Sequence, residues 1–217
     1  NNPYQVLYYH LNNALFHNNH RKESVPGDEE DVKNITLEEI NLVYNTFYHP
    51  SNMFLTVTGN FDPDYLDVII RENQNSKEFP KYLNPLKIKP KEKETVNEER
   101  VTVNGNVTTP KLRIAYKIKK SSLGNISDME KLVYTRIILN ANFGTTSDIK
   151  ERLLESNLIS KLSTNAYLVD DFLIININAE TKYPNEIEKR LKENYDHMDL
   201  TPKRLERRIR CNIADFI

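Results

Sequence analysis

The sequence has a single cysteine, Cys211, among 217 residues. No disulfide can close within the chain, and a reducing, cytoplasmic setting is the expectation. Glycine is nearly as scarce. Its five residues form no G-x-G-x-x-G and no phosphate-cradling loop, so nucleotide binding is not expected. No apolar run approaches the roughly 20 residues of a membrane span. The opening Asn1-Asn2-Pro3-Tyr4 has neither the basic nor the apolar region of a signal peptide. An excess of one charge is missing too. Lys plus Arg total 30 and Asp plus Glu total 31, a formal net charge of -1, which favours neither nucleic acid nor a membrane as partner. Among catalytic signatures, G-x-S-x-G, H-E-x-x-H and H-x-x-E-H are all lacking. His20-Arg21-Lys22-Glu23 supplies the first half of the last, but Ser24 stands where its closing histidine belongs.

Hydrophobic content of 38% with 28% charged residues fits a folded globular chain of one large or two small domains. Leu7, Leu11 and Leu15, with Ala14, make a helical stripe. A polar segment from Asn18 to Lys33 follows, whose acidic run Asp28 to Asp31 reads as a solvated loop. Thr36 and Glu39 form a capping-box pattern before Ile40, Val43, Tyr44 and Phe47, and this helix should stop before Pro50. Met53 to Thr58 reads as a buried strand closed by Gly59. Asp62-Pro63 then opens a helix lined by Tyr65, Leu66, Ile69 and Ile70.

Pro80, Pro85 and Pro90 fall in a charged stretch without helical periodicity, which predicts a stiff linker over residues 79–95. Beyond it, Val101 and Val103 alternate as a strand, and Leu112, Ile114, Tyr116 and Ile118 as another. Ser127 and Glu130 make a second capping box, leading into Met129, Leu132, Val133 and Ile137. A short helix from Ser147 to Glu155 precedes strands at Leu162 to Leu168 and Phe172 to Ala179. Ile187, Leu191, Tyr195 and Met198 line one further helix, and Thr201-Pro202 starts the last, with Leu205, Ile209 and Ile213 inward. The order β-β-α-α-β-β-α-α indicates an α+β layered domain. The first half, α-α-β-α, looks like the back end of a similar unit. With no initiator Met and an apolar face still running at Ile217, the expectation is an interior piece of a longer protein.

His17, His20 and Glu23 are spaced three apart, as metal ligands on one helix face would be, but Asn18-Asn19 reads as a helix end and makes them exposed loop residues. His10 falls on a helix flank, His49 at a helix end beside the negative dipole terminus, and His197 in solvent. Cys211 inside an amphipathic helix reads as structural. The basic run Lys203 to Arg210 reads as the solvated face of that helix, with RNA binding as a much weaker alternative. These readings assign no catalytic, metal-binding or substrate-binding residue.

The stretch Phe47-Tyr48-His49-Pro50-Ser51-Asn52-Met53-Phe54-Leu55-Thr56-Val57-Thr58-Gly59-Asn60-Phe61-Asp62 resembles the inverzincin family of pitrilysin, insulin-degrading enzyme and mitochondrial processing peptidase, in its bacterial form. Pro26-Gly27-Asp28 through Ile35-Thr36 and Asn142-Phe143-Gly144-Thr145-Thr146-Ser147 resemble further family stretches in the right order. The resemblance implies two-layer α+β domains of the LuxS/processing-peptidase type, with an antiparallel-rich sheet and helices on one face. In that scheme residues 1–78 end a first family domain, 79–95 link, and 96–217 form a second, C-terminally truncated one. The resemblance further implies a zinc-dependent endopeptidase that hydrolyses peptides in a closed chamber. Its zinc ligands would lie upstream of Asn1, leaving this segment to supply chamber wall and substrate contacts. The implied partners are a peptide substrate and either a second copy or a paired homologous subunit. Where many family members carry an Arg and a Tyr beside the scissile carbonyl, this chain has Leu154 and Ser160, with Arg152 the nearest arginine. That departure favours an alternative, a non-catalytic partner or scaffold subunit of an active homologue.

Overall fold

The structure, a computed structural model, describes residues 2–86 and 88–214. Its helices are, in chain order, α1 (Pro3–Leu15), α2 (Glu29–Asn34), α3 (Leu37–Phe47), α4 (Pro63–Asn75), α5 (Asp128–Phe143), α6 (Asp148–Glu155), α7 (Pro184–Asp196) and α8 (Pro202–Ala214). Three strands, β1 (Lys111–Lys119), β2 (Lys161–Val169) and β3 (Phe172–Glu180), form one antiparallel sheet in the order β1-β3-β2. The chain divides into two compact units, Asn1–Glu23 with Lys89–Ile217, and Ser24–Ile88.

In the first unit the sheet sorts its residues by parity, as pleating requires. Leu173, Ile175, Ile177 and Ala179 of β3 face α5, α6 and α7, where they join Leu139, Phe143, Leu153, Ile187 and Leu191 in the main core. Tyr116 of β1 stacks on Tyr195 of α7, with centroids 4.0 Å apart. Phe172 and Ile174 face the other way, towards Leu15 and Phe16 at the end of α1. The sheet thus carries several helices on one face and a single helix on the other. Hydrophobic burial on both faces explains why β3, the central strand, is apolar without a break from Phe172 to Ile175. Asp170, at φ +47°, makes the tight turn between β2 and β3, where Val169 pairs with Phe172.

Just past the stiff linker expected over residues 79–95, the chain is tied to the end of α1. Asn97 and Glu98 donate their N–H groups to the Ala14 carbonyl at 2.8 and 3.0 Å. The sheet's compact unit takes in α1, which buries its end against the strands of the second half.

In the unit Ser24–Ile88, capping chemistry sets the helix starts. Thr36 and Glu39 form their capping box, and Asp62 caps α4 with Pro63 in its first turn. Two expectations fail here. The acidic run is no loop: Asp28 and Asp31 cap each other and start α2. Met53–Thr58 is no buried strand, and Phe54 is 93% exposed. A strand exists only through its ladder partners, and among the described residues none lies beside this one. The same reason removes the expected strand at Val101 and Val103, which are exposed and unpaired in a ladder. The second half therefore reads β-α-α-β-β-α-α. The other expected helices and strands form where the patterns put them, within a few residues.

Candidate functional site

The five histidines are dispersed. His20 spends its ring on Glu23, Nδ1 to carboxylate 3.2 Å, at the surface. His17 is half-buried, its Nε2 3.3 Å from the Thr95 hydroxyl. His10 is half-buried on α1 beside Tyr9. His49 does not act at the end of α3. It caps the short helix Pro50–Asn52, accepting from the Ser51 N–H, and stacks on Tyr82. His197 is exposed at the end of α7, its Nδ1 2.8 Å from the Glu193 carbonyl. No group of three or more His, Cys, Asp or Glu among the described residues is placed to hold a metal ion. The donor set among the described residues does not fit zinc.

Leu154 lies on α6 with its side chain 38% exposed, and Ser160 lies exposed just before β2, its N–H bonded to the Glu180 carbonyl at 2.9 Å. Neither position offers a charged donor. Arg152 is exposed on α6, its Nε on the Asp148 carbonyl at 3.2 Å. The basic helix α8 borders a hollow of about 240 Å³ with Lys203, Arg204, Arg207, Arg208, Asp148 and Asp199 in its wall. Arg204 is the structural member of that group. It ties the Ala141 carbonyl at 3.0 Å to Asp148 and Asp199 at 3.2 and 3.3 Å. Cys211 is exposed on the same helix.

Two features of the sheet bear on binding. First, β1 and β2 are edges among the described strands, and strand edges are templates for an extended peptide. Arg136 of α5 blocks part of β2, donating to the Ala166 carbonyl at 3.1 and 2.9 Å. Second, the face under α1 is built from charge and amide groups that sequence reading alone did not single out. At its apolar end Lys117 and Glu92 are 2.8 Å apart, with side chains only 1% and 3% exposed. Glu92 also accepts the N–H groups of His17, Asn18 and Asn19 at 2.8 to 3.0 Å. Lys117 also reaches the Leu15 and Thr95 carbonyls. Burial alone would push the Glu92 carboxyl up, but the Lys117 ammonium and those N–H groups override it and hold the carboxyl at about 2. This clasp locks the loop after α1 onto β1.

At the other end of the same face lie Arg113, Asn176, Asn178 and Tyr167 on the strands, with Tyr8 and Asn12 on α1. Register alone brings the strand residues together: Arg113 sits opposite Asn178, and Asn178 opposite Ser163. Burial lowers the Arg113 guanidinium from its ordinary value, against the pull of the Tyr167 and Tyr8 phenols. Burial raises the Tyr167 phenol. The signal that could have revealed this set was the pair Asn176 and Asn178, two apart and each flanked by apolar residues of β3.

The chain is similar to known proteins over most of its length. A family model described as the peptidase M16 inactive domain matches residues 34–207. An uncharacterized zinc protease of Bacillus subtilis, YmfH, is 26% identical over 187 residues, covering 86% of this chain and 44% of the relative. Protein HypA of Clostridium perfringens is 23% identical over 192 residues, covering 86% of this chain and 20% of that protein. The chain thus spans less than half the length of these curated relatives. Among solved structures, a putative M16-like peptidase from Alicyclobacillus acidocaldarius superposes with a TM-score of 0.84 at 28% identity, over 99% of this chain and 52% of its own. A protease from Helicobacter pylori shares the fold at TM-score 0.76 and 18% identity, over 99% of this chain and 52% of its own.

Proposed function

Because the chain belongs to the M16 peptidase family, matching its inactive domain, we propose that it is the non-catalytic part of a zinc endopeptidase, a wall against which peptide substrate lies. One observation carries the reading: the match to the inactive domain over residues 34–207, on a fold shared across 99% of the chain with an M16-like peptidase. The zinc and the glutamate that activates water belong to the remainder of the parent protein, and the residues described here supply surface rather than chemistry. The part of the β2 edge not covered by Arg136 is where an extended peptide would add its backbone hydrogen bonds. Exposed Cys211, the single thiol, suits a reducing cytoplasm.

The test is a quenched-fluorescence peptide assay on the longer parent and on the 217-residue chain, each with and without chelator. Hydrolysis by the parent that chelator abolishes, with an inert chain, supports the proposal. Chelator-sensitive hydrolysis by the chain alone contradicts it. A second reading has its own observation. Leu154 and Ser160, where many family members place Arg and Tyr, favour a partner subunit that pairs with an active homologue. It predicts a parent that is inert alone and raises the activity of that homologue on mixing.

A further inference from the structure

The peptidase-wall reading leaves the basic run of α8 without a role. Part of that run lines the hollow of about 240 Å³ where α8 meets the end of α5 and the start of α6. Its wall sets Lys203, Arg204, Arg207 and Arg208 against Asp148 and Asp199, a surplus of two positive charges. Arg204 takes both carboxylates, at 3.2 and 3.3 Å. The other ion pair of α8 among the described residues joins Arg210 to Glu206. Lys203, Arg207 and Arg208 are thus left without a carboxylate among the described residues, and the Arg208 Nε is enclosed with no acceptor there. A merely solvated face would spread such charges over a convex surface. Here they line a concavity, which focuses their field on whatever enters.

The hollow is braced from three sides. Arg204 holds the Ala141 carbonyl of α5 at 3.0 Å together with Asp148 of α6 and Asp199 before α8. Asn142 accepts from the Asp199 N–H at 2.7 Å and donates to the Asp199 carbonyl at 3.2 Å. A site held this way loses little freedom when it is filled. Thr146 and Thr201 add hydroxyl groups to the wall, just before α6 and α8. Ser147 makes no side-chain cap for α6 and sends its hydroxyl to the Gly144 carbonyl at 2.8 Å, so the positive end of α6 beside Thr146 lacks that neutral cap. Ammonium, guanidinium and hydroxyl donors from different elements suit a compact anion with oxygens on several sides better than a flat carboxylate. A phosphate group carries nearly two negative charges and three strong acceptor oxygens. The volume is below the roughly 300–1,000 Å³ of sites for drug-sized ligands, which suits the phosphate group alone.

We infer that this hollow binds a phosphate group, as the free ion or as the monoester of a peptide side chain. Lys203, Arg207 and Arg208 are its cations, Thr146 and Thr201 its hydroxyl donors, and Arg204 the brace that keeps its walls apart. The inference goes beyond the peptidase-wall reading and does not depend on zinc or hydrolysis.

The experiment is a calorimetric titration of the 217-residue chain at pH 8 and fixed ionic strength with inorganic phosphate, with acetate, and with a neutral peptide carrying phosphoserine at its centre. Phosphate should bind at least roughly tenfold more tightly than acetate. Lys203→Gln and Arg207→Gln, at exposed positions where the fold should hold, should each weaken phosphate by roughly three- to tenfold. Arg210→Gln, on the same helix but outside the hollow and paired with Glu206, should change it by less than about twofold. Cys211, the single thiol, is exposed in the wall and reports the place of binding. Phosphate should slow its reaction with a neutral maleimide, at the midpoint seen in the calorimeter. Tighter binding of the phosphoserine peptide than of the free ion supports the inference with a phosphorylated chain as the source, and equal or weaker binding supports it with the ion. Absence of phosphate binding overturns the inference, as does equal affinity for phosphate and acetate. So does a loss in Arg210→Gln as large as in Arg207→Gln, which marks a diffuse charge effect, or a Cys211 rate unchanged at saturating phosphate.

Discussion

The unit Ser24–Ile88 and the unit around the sheet are written in the same local vocabulary, yet they pack very differently. Both have Asp, Ser or Thr caps, capping boxes and amphipathic stripes. In the sheet unit those stripes close over β3 and bury Leu139, Phe143, Leu153 and Ile177. Between Ser24 and Ile88 no described residue is buried, and Ile40, Tyr44, Phe47, Met53, Leu55 and Ile69 stay exposed. Helix signals set where helices start. Burial needs a second layer, and most helical stability comes from that packing rather than from propensity.

The sharpest way to break this contrast is a pair of truncations. Ile177→Ala should cost about 2–5 kcal/mol by leaving a cavity in a closed core. Phe54→Ala should stay within about 0.5 kcal/mol, as for other surface sites. Urea titration of both variants reads the difference, and equal costs would erase it.

Next in size is the Lys117–Glu92 clasp. Lys117→Met should cost about 3 kcal/mol, because it strands a buried carboxylate. Glu92 also fixes a pH dependence. Its folded carboxyl is held at about 2, below the roughly 4.3 of an unfolded glutamate. The stability it gives is present above that unfolded value and is lost as pH falls towards about 2. Thermal midpoints measured from pH 6 down to 2.5 should fall across that window, and Glu92→Gln should flatten the part of the slope owed to this group. The smallest expected effect is at the caps. Ser127→Ala should lower the stability of the sheet unit by about 1 kcal/mol. Thr36→Ala should appear only as faster amide exchange at the start of α3, with the global midpoint unchanged. A midpoint drop for Thr36→Ala would mean that the unit Ser24–Ile88 contributes more to the global transition than its exposure suggests.

What the sequence made legible follows the same line. The strands β1, β2 and β3 and the helices α3 to α8 announce themselves through alternation, stripes and caps, all local in the chain. Met53–Thr58 misled because apolarity suggests a strand, whereas pairing decides one. The α2 start was missed because Asp28 caps with Asp31 rather than in a Ser/Thr-to-Glu pattern. Nothing local links Glu92 to Lys117, which stand 25 residues apart and meet only through the end of α1. Arg113 and Asn178 likewise become neighbours only once register is set. The family resemblance is legible around Phe47 to Asp62 in one unit and Asn142 to Ser147 in the other.

The account's central claim is that catalysis belongs to a part of the parent other than these residues. Zinc stoichiometry by metal analysis, on the 217-residue chain after equilibration with zinc and dialysis, tests it most directly. The account predicts well under one zinc per chain, in keeping with His20 paired to Glu23 and His17 placed beside Thr95. One tightly held zinc per chain, coupled to the folding of the region that binds it, would contradict it.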